Sequence, residues 1–230
     1  MSEWWTYSLR DLLLFSPRTY YRQFELYNLE WWPLQLVALA LGIAVLALWR
    51  RGGERAGRAI AAILALCWLW VAWAFHGQRY ASINLAAGYF AWAFVAQALL
   101  LLWFGGVRRR LTPASAPRVQ VRAGLGLLLF AVLIFPLVAP LQGRNWTQAE
   151  VFGMAPDPTA LATLGVLLLA GARPAWALYP IPAAWCLISG ATLWTMDAPD
   201  FAVVPLAALL AVGLAAAARL EQAGAAQPGR

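Results

Sequence analysis

Long apolar stretches dominate this sequence and constrain its fold more than any other feature. Hydrophobic residues make up 63% of the chain and charged residues 12%, whereas a soluble domain averages about 25% charged residues. A membrane-spanning helix needs about 20 mostly apolar residues. The sequence therefore predicts an all-α polytopic membrane protein with about seven transmembrane helices, the fifth being the shortest: 31–49, 59–76, 82–104, 122–140, 158–172, 174–195 and 200–219.

The basic residues indicate how these helices are oriented. All 17 are arginine, and eight of them lie in the loops at 50–58 and 105–121, with Arg173 and Arg219 on the same side. The opposite loops, at 77–81, 141–157 and 196–199, hold Glu150, Asp157 and Asp197 against only Arg79 and Arg144. By the positive-inside rule the arginine-rich loops are cytoplasmic, so the N-terminus is outside and the C-terminus inside. Short clusters between apolar segments also argue against nucleic-acid binding.

The rare residue types exclude several cofactors. The chain has no lysine, and a retinal Schiff base needs a lysine amine. Its one histidine, His76, excludes a bis-histidine haem or a multi-histidine zinc site within the chain. Cys67 and Cys186 lie in apolar segments and are interpreted as small buried hydrophobes. Neither a metal site nor a catalytic motif is predicted, and any other cofactor stays unknown.

Residues 1–30 are interpreted as an amphipathic interfacial segment before a bundle at 31–220, with 221–230 as a flexible cytoplasmic tail. Ser16 and Pro17 predict the start of a helix. Four aromatic residues then recur at helical spacing and form one stripe: Tyr20, Phe24, Tyr27 and Trp31. Such a helix either lies in the headgroup plane or packs across the ends of the spanning helices.

The tryptophans divide into two groups. Most of the 14 fall near predicted helix ends, a position typical of interfacial belts. The others are predicted at mid-helix depth, where an indole N–H needs a hydrogen-bond partner. These are Trp68, Trp70, Trp92 and Trp185.

The two halves of the chain resemble each other. Aligning Pro33 with Pro156 places Gly42 on Gly165 without a gap. This favours a parallel duplication in which helices one to three repeat as five to seven around a linker helix. The arrangement is similar, in architecture only, to the 3+1+3 helices of SWEET transporters. Chance matching of two apolar helices is the alternative.

Four motifs stand out along the chain: FSPRTYYR at 15–22, WP at 32–33, WAFH at 73–76 and FGMAPDPT at 152–159. Together they resemble a bacterial family of uncharacterised multi-pass membrane proteins, catalogued as a domain of unknown function and sometimes labelled permease. The resemblance covers most of the chain. It implies a location in the bacterial inner membrane and implies no particular activity.

Polar residues collect at the predicted outer ends of the helices. Under the duplication, the turns at 76–84 and 197–205 face each other. Polar groups just below a membrane surface are costly unless they pair or line a wet cavity. The cluster is therefore interpreted either as a ligand-binding vestibule or as ordinary caps and ion pairs. Its members are His76, Gln78, Arg79, Tyr80, Asn84, Arg144, Glu150, Asp157, Asp197 and Asp200.

Two functions fit these features. The first is binding, or facilitated passage, of a small solute from an outward-facing vestibule. Ion-coupled transport is disfavoured because no spanning helix carries a charged residue near its centre. The alternative is a non-catalytic accessory or assembly subunit of a larger membrane complex. Its contact surface would comprise Trp4, Trp5, Leu9, Leu12, Leu13 and Tyr20.

A third hypothesis is an intramembrane enzyme that uses His76 with Glu150 or Asp197 as acid–base partners. No catalytic residue is assigned, because recognised catalytic motifs are lacking in the sequence. The expected partners are the lipid bilayer and either a larger membrane complex or further copies of this chain.

Overall fold

The computed structural model describes residues 15–112, 117–171 and 175–225. Its described residues form helices and turns without a β-strand. A short 3₁₀ turn, Trp146–Gln148, precedes the sixth helix. The helices are α1 (Pro17–Glu30), α2 (Leu34–Arg51), α3 (Gly53–Ser82), α4 (Ala87–Val107), α5 (Arg118–Leu141), α6 (Pro156–Leu169), α7 (Trp176–Thr195) and α8 (Val203–Ala225).

Six of the described helices are long and apolar enough to cross a membrane, namely α2, α3, α4, α5, α7 and α8. The predicted fifth segment corresponds to α6, which has 14 residues. At about 1.5 Å per residue this helix is about 21 Å long, shorter than the hydrocarbon core of about 30 Å. The chain is thus membrane-embedded, with six helices of spanning length and one shorter apolar helix.

The short helix α6 lies at the centre of the bundle. All 14 of its residues are buried, and it packs mainly against α5, α7 and α8. Gly124 of α5 and Gly165 of α6 allow the closest approach. A Cβ on either glycine would lie 2.8 Å from the carbonyl oxygen of the other. Small residues at such crossings let two backbones meet and gain packing contacts within lipid.

Helix α1 packs across one end of the bundle. Its predicted start is confirmed, because Ser16 Oγ accepts a hydrogen bond from the Thr19 N–H at 3.2 Å and Pro17 follows at the first helical position. The predicted aromatic stripe faces inward. Phe24 is 1% exposed, and its ring centroid lies 4.9 Å from that of Phe75. The structure thus favours packing across the helix ends over a position free in the headgroup plane.

The inward stripe also corrects the docking surface predicted for an accessory subunit. Tyr20 is 6% exposed and packs beside Tyr80, so it cannot contact a partner. The other residues of that surface, Trp4, Trp5, Leu9, Leu12 and Leu13, lie outside the described residues. At the other terminus, α8 continues to Ala225 into the predicted tail, and residues 226–230 are likewise outside the description.

The predicted duplication pairs α2 with α6, which lie in different surroundings. Helix α2 exposes Val37 and Ile43 by more than half, whereas α6 is buried throughout. The paired glycines nevertheless both contact α5. A Cβ on Gly42 would lie 2.6 Å from Val132, and Gly165 meets Gly124. The duplication stays a prediction that these two contacts support.

The bundle has two chemically distinct ends. At one end, here called the arginine end, a set of arginines is exposed, and Arg109 pairs with Glu54 at 2.7 Å. The opposite end, here called the acidic end, carries Glu150, Asp157, Asp197 and Asp200. The exposed set comprises Arg50, Arg51, Arg55, Arg58, Arg108, Arg109, Arg110, Arg118 and Arg122.

Candidate functional site

The chain enters the middle of the bundle through a buried stretch that is not helical. After the turn Trp146–Gln148, residues 149–155 are all buried before α6 begins. Gly153 has a φ of +76°, and a Cβ there would lie 2.9 Å from Cys67 Sγ. The Gly153 N–H donates a hydrogen bond to Thr159 Oγ1 at 2.9 Å. These contacts hold the irregular backbone inside the protein, where membrane-embedded chains tolerate it.

Asp157 lies in the first turn of α6 and is 2% exposed. Its carboxylate accepts hydrogen bonds from Trp185 Nε1 at 2.7 Å and from Ser189 Oγ at 2.6 Å. The two donors are four residues apart and therefore share one face of α7. The positive end of the α6 dipole favours a negative charge at this position. Asp157 is thus held by two side chains and one helix terminus.

The depth of Asp157 follows from its partner. Trp185 and Ser189 are the tenth and fourteenth residues of the 20-residue helix α7, and both bond to the carboxylate, so the carboxylate lies between the middle of that helix and its end on the acidic side. Within the described chain no charged residue lies at the centre of a spanning helix, and α6 brings Asp157 into the protein interior from its first turn. The expectation against ion-coupled transport stays a prediction.

The tryptophans predicted at mid-helix depth have mixed outcomes. Besides Trp185, two of them have the expected partners. Trp68 donates to Thr163 Oγ1 at 2.8 Å, and Trp70 donates to the Tyr27 hydroxyl at 2.7 Å. The prediction for Trp92 is wrong, because this side chain is 75% exposed on the outer surface of α4. Helical depth alone does not show which face a residue occupies.

His76 is completely buried among aromatic rings. It belongs to a π-helical stretch of α3, Val71–Arg79, a geometry that is frequent at functional sites. Within the described chain, neither ring nitrogen has a hydrogen-bond partner. Burying unpaired polar atoms costs stability, so they call for an explanation. Five ring centroids lie within 6 Å of the imidazole, those of Phe75, Tyr80, Phe90, Phe94 and Trp185.

Two further acids and an arginine belong to the same polar region. Glu150 Oε2, Asp200 Oδ1 and two Arg144 nitrogens are buried and lack hydrogen-bond partners among the residues described. Arg144 Cζ lies 4.2 Å from the centre of the Tyr21 ring, a cation–π contact. Burial raises the pKa of Glu150 well above its ordinary value, and the Asp157 charge raises it further. The region thus holds buried donors and acceptors without partners among the residues described.

Helix α1 covers this region from the acidic end. Asn28 Nδ2 donates to the backbone carbonyls of Thr147 and Ala149, at 2.8 Å each. The stretch that carries Glu150 is therefore tied to α1. Burial raises the pKa of the Tyr20 hydroxyl, and the charge of Glu150 adds to that effect. Through these contacts α1 covers the site at the acidic end of the bundle.

The structure brings some of the predicted site residues together and separates others. Asn84 Oδ1 accepts a hydrogen bond from the Ala86 N–H at 2.8 Å and closes a local turn just before α4. Asp197 lies in an exposed turn with a φ of +55°. Gln78 and Arg79 line a separate cleft near the surface. The other residues lie together beneath α1 and are here called the buried polar cluster. They are His76, Tyr80, Arg144, Glu150, Asp157 and Asp200.

Sequence reasoning left several contributors out of the candidate site. The position of Trp185 within a helix predicts that its indole N–H needs an acceptor, but the sequence does not indicate that this acceptor is Asp157. Ser189 adds the second donor to the carboxylate. Tyr21, which packs on Arg144, had no distinguishing signal. No group of three or more His, Cys, Asp and Glu side chains with an arrangement for a metal ion occurs in the described ranges.

Comparison with known families gives one match. The family described as "Family of unknown function (DUF6064)" matches residues 18–225. The chain belongs to the DUF6064 family. This confirms the predicted resemblance to a family catalogued as a domain of unknown function. The DUF6064 chain showed no match in the comparison with curated proteins and none in the comparison with solved structures.

Proposed function

We propose that this DUF6064 protein is a seven-helix protein of the bacterial inner membrane that binds a small polar solute in the buried polar cluster and facilitates its passage. The observation that carries the proposal is the Asp157 carboxylate, buried against Trp185 and Ser189 of α7 and close to buried polar atoms that lack partners among the described residues. Ionisable groups buried inside membrane proteins are costly, and they are typical of substrate and ion pathways.

The discontinuous path of the chain supports the same proposal. Transporter sites are often built from short helices whose N-termini point into the membrane interior. Helix α6 begins in the protein interior after an irregular buried stretch, and Asp157 lies in its first turn. A solute that carries both hydrogen-bond donors and acceptors would complement Arg144 and Glu150.

The proposed orientation places the arginine end in the cytoplasm and the acidic end outside. α6 then serves as the seventh crossing, in reverse direction to α5 and α7. Labelling of single cysteines tests this orientation, since Cys67 and Cys186 are both buried. Arg109→Cys should react with an impermeant maleimide only after the inner membrane is opened, and Trp146→Cys should react in intact spheroplasts. The reverse pattern would overturn the orientation.

Solute passage can be measured with purified protein in liposomes. Stopped-flow swelling would be recorded with glycerol, urea and methylammonium as separate probes. Protein-containing liposomes should swell faster than empty ones with at least one probe, and Asp157→Asn should remove most of that difference. Glu54→Gln, at an exposed ion pair of the arginine end, is the matched control and should behave as the unmodified protein. Equal swelling with and without protein for all three probes contradicts facilitated passage.

The alternative function, an accessory subunit of a larger membrane complex, keeps the predicted contacts at Trp4, Trp5, Leu9, Leu12 and Leu13, which lie outside the described residues, and two exposed tryptophans add to them. Trp32 and Trp146 are 66% and 63% exposed at the acidic end, where they can serve a partner or the membrane interface. Purification in mild detergent tests this alternative. A stoichiometric partner that is released by Trp146→Ser would favour it, whereas a monodisperse single chain would favour the solute hypothesis.

A further inference from the structure

A second polar site lies outside the buried polar cluster, where α1 meets α2 and α3. It is a cleft of about 390 Å³ lined by Glu30, Trp31, Trp73, Gln78 and Arg79. Arg79 and Glu30 form an ion pair across it, with side chains 26% and 47% exposed. An exposed ion pair of this kind is weak, so it can open for a ligand. The cleft is therefore accessible and carries one charge of each sign.

A separate apolar groove lies next to this cleft, since Trp70 in its lining packs against Trp31 and Trp73 of the cleft. It has a volume of about 140 Å³ between α2 and α3, and Gly153 and Met154 form its floor. Its other lining residues are apolar side chains of the two helices, with Val37 53% and Leu66 57% exposed. Leu41 lies two turns inside α2, so the groove reaches well below the charged cleft. The lining comprises Leu34, Val37, Ala38, Leu41, Leu66, Cys67, Trp70, Gly153 and Met154.

Three tryptophans pack against one another between the cleft and the groove. Trp31 and Trp73 line the cleft, and Trp70 lines the groove. The Trp70 ring centroid lies 4.9 Å from that of Trp31 and 5.4 Å from that of Trp73. Indole rings are enriched at the level where lipid headgroups meet acyl chains. The surface thus changes from charged to aromatic to apolar. A lipid follows the same order, from its charged headgroup through the interface to its acyl chains.

We propose that this cleft and groove bind one phospholipid whose headgroup carries both a phosphate and an ammonium group, as in phosphatidylethanolamine. Arg79 binds the phosphate through charge-assisted hydrogen bonds, and Glu30 receives the ammonium. An acyl chain lies in the groove against Val37 and Leu66. Glu30 disfavours a purely anionic headgroup, because like charges repel. The apolar groove favours a lipid over free phosphate, since it offers burial only to a hydrocarbon chain.

Native mass spectrometry of the purified full chain in detergent tests this proposal. Dioleoyl phosphatidylethanolamine and dioleoyl phosphatidylglycerol are titrated separately, and inorganic phosphate and the soluble headgroup glycerophosphoethanolamine serve as probes without chains. The unmodified protein should hold one phosphatidylethanolamine more tightly than phosphatidylglycerol, and neither soluble probe should bind at the same concentration. Arg79→Gln should weaken binding about tenfold, the effect expected for losing a hydrogen bond to a charged group.

Two matched controls separate a site from general lipid coating. Arg109→Gln removes a comparable exposed Arg–Glu pair at the arginine end and should leave lipid binding unchanged. Val37→Trp fills the groove and should weaken binding of the diacyl lipid, whereas Val119→Trp, at a valine that is 62% exposed on α5, should not. All four positions are on the surface, so these variants are expected to fold, and circular dichroism checks this.

Several results would overturn the proposal. One is equal retention of the two lipids by the unmodified protein. Another is equal lipid binding by Arg79→Gln and Arg109→Gln. Binding of glycerophosphoethanolamine as tight as that of the diacyl lipid would also contradict it, because the groove would then contribute nothing. Since the buried polar cluster is untouched by these variants, failure here leaves the proposed solute site unaffected.

Discussion

The two ends of the helical bundle both expose charged residues, but only the acidic end also buries ionisable side chains among the described residues. At the arginine end the side chains of Arg50, Arg58 and Arg122 extend into the surroundings, and the Arg109–Glu54 pair is more than half exposed on both sides. At the acidic end, carboxylates and an imidazole lie inside the protein. Exposed charges of this kind orient the chain in a membrane and add little to its stability. Buried charges cost stability, so their presence points to a task beyond folding.

The largest expected effect concerns Asp157, the most deeply held charge. Asp157→Ala removes the acceptor of both Trp185 and Ser189 and leaves two buried donors unpaired. We expect a loss of about 3 kcal/mol in the free energy of unfolding, since each buried unpaired group costs about 1–3 kcal/mol. Reversible unfolding in detergent measures it. A loss no larger than that of Glu54→Ala would remove the distinction between the two ends.

The second prediction concerns pH. Because the pKa of Glu150 is raised in the folded protein, the folded state holds its proton at pH values where the unfolded chain has released it. Protonation of Glu150 therefore supports stability below about pH 4.5, the ordinary value, and this support is lost as the pH rises through the folded pKa. Above that pKa, Glu150→Gln should be more stable than the unmodified protein. The difference should be about 1.4 kcal/mol for each pH unit by which the folded pKa of Glu150 exceeds its ordinary value.

The measurement for Glu150 is the unfolding free energy as a function of pH for both forms. The curve of Glu150→Gln should fall less steeply with rising pH than that of the unmodified protein. Glu54→Gln is the control, and its curve should run parallel to the unmodified one. Parallel curves for Glu150→Gln as well would show that this carboxyl titrates as in water.

A smaller effect of opposite sign is expected at His76. His76→Phe keeps an aromatic ring in the aromatic surroundings and removes two nitrogens without partners. We expect a gain of about 1 kcal/mol in stability, at the low end of the cost of an unpaired polar group, together with loss of solute passage. Thermal unfolding and the swelling assay are run on the same preparation. Lower stability would mean that the imidazole serves packing and not a ligand.

The smallest effect is expected at the arginine end. Arg109→Gln breaks the exposed pair with Glu54 and should change the unfolding free energy by less than about 0.5 kcal/mol. Chemical denaturation in detergent is sufficient to resolve this from the change at Asp157. A cost of about 2 kcal/mol or more would mean that the exposed charges of the arginine end contribute substantially to stability, contrary to the difference expected between the two ends.

Much of the fold follows from local sequence. The apolar runs that became α2, α4 and α8 are long, and Ser16-Pro17 marks the start of α1. The central position of α6 does not follow as directly. Its sequence is apolar on all sides, a pattern shared by helices buried in protein and helices surrounded by lipid. Only the contacts with α5, α7 and α8 distinguish the two cases.

The site was harder to derive because its geometry depends on distant segments. Asp157 and Asp197 both stand near helix ends in the sequence, yet the first is buried and the second lies in an exposed turn. The difference arises from Trp185 and Ser189, which lie about 30 residues away from Asp157. Trp92 shows the opposite case. Its position in the sequence predicts a hydrogen-bond partner for the indole, but the side chain lies on the outer surface, where a membrane protein contacts lipid.

The shortness of α6 has a consequence for biogenesis. A 14-residue helix with a carboxylate in its first turn is a poor substrate for insertion by itself, since partitioning into lipid favours about 20 apolar residues and penalises aspartate. We expect its two long neighbours, α5 and α7, to enter the bilayer on their own hydrophobicity and α6 to follow when it packs between them. Membrane insertion of this chain would then be completed by tertiary folding, after translation of α7.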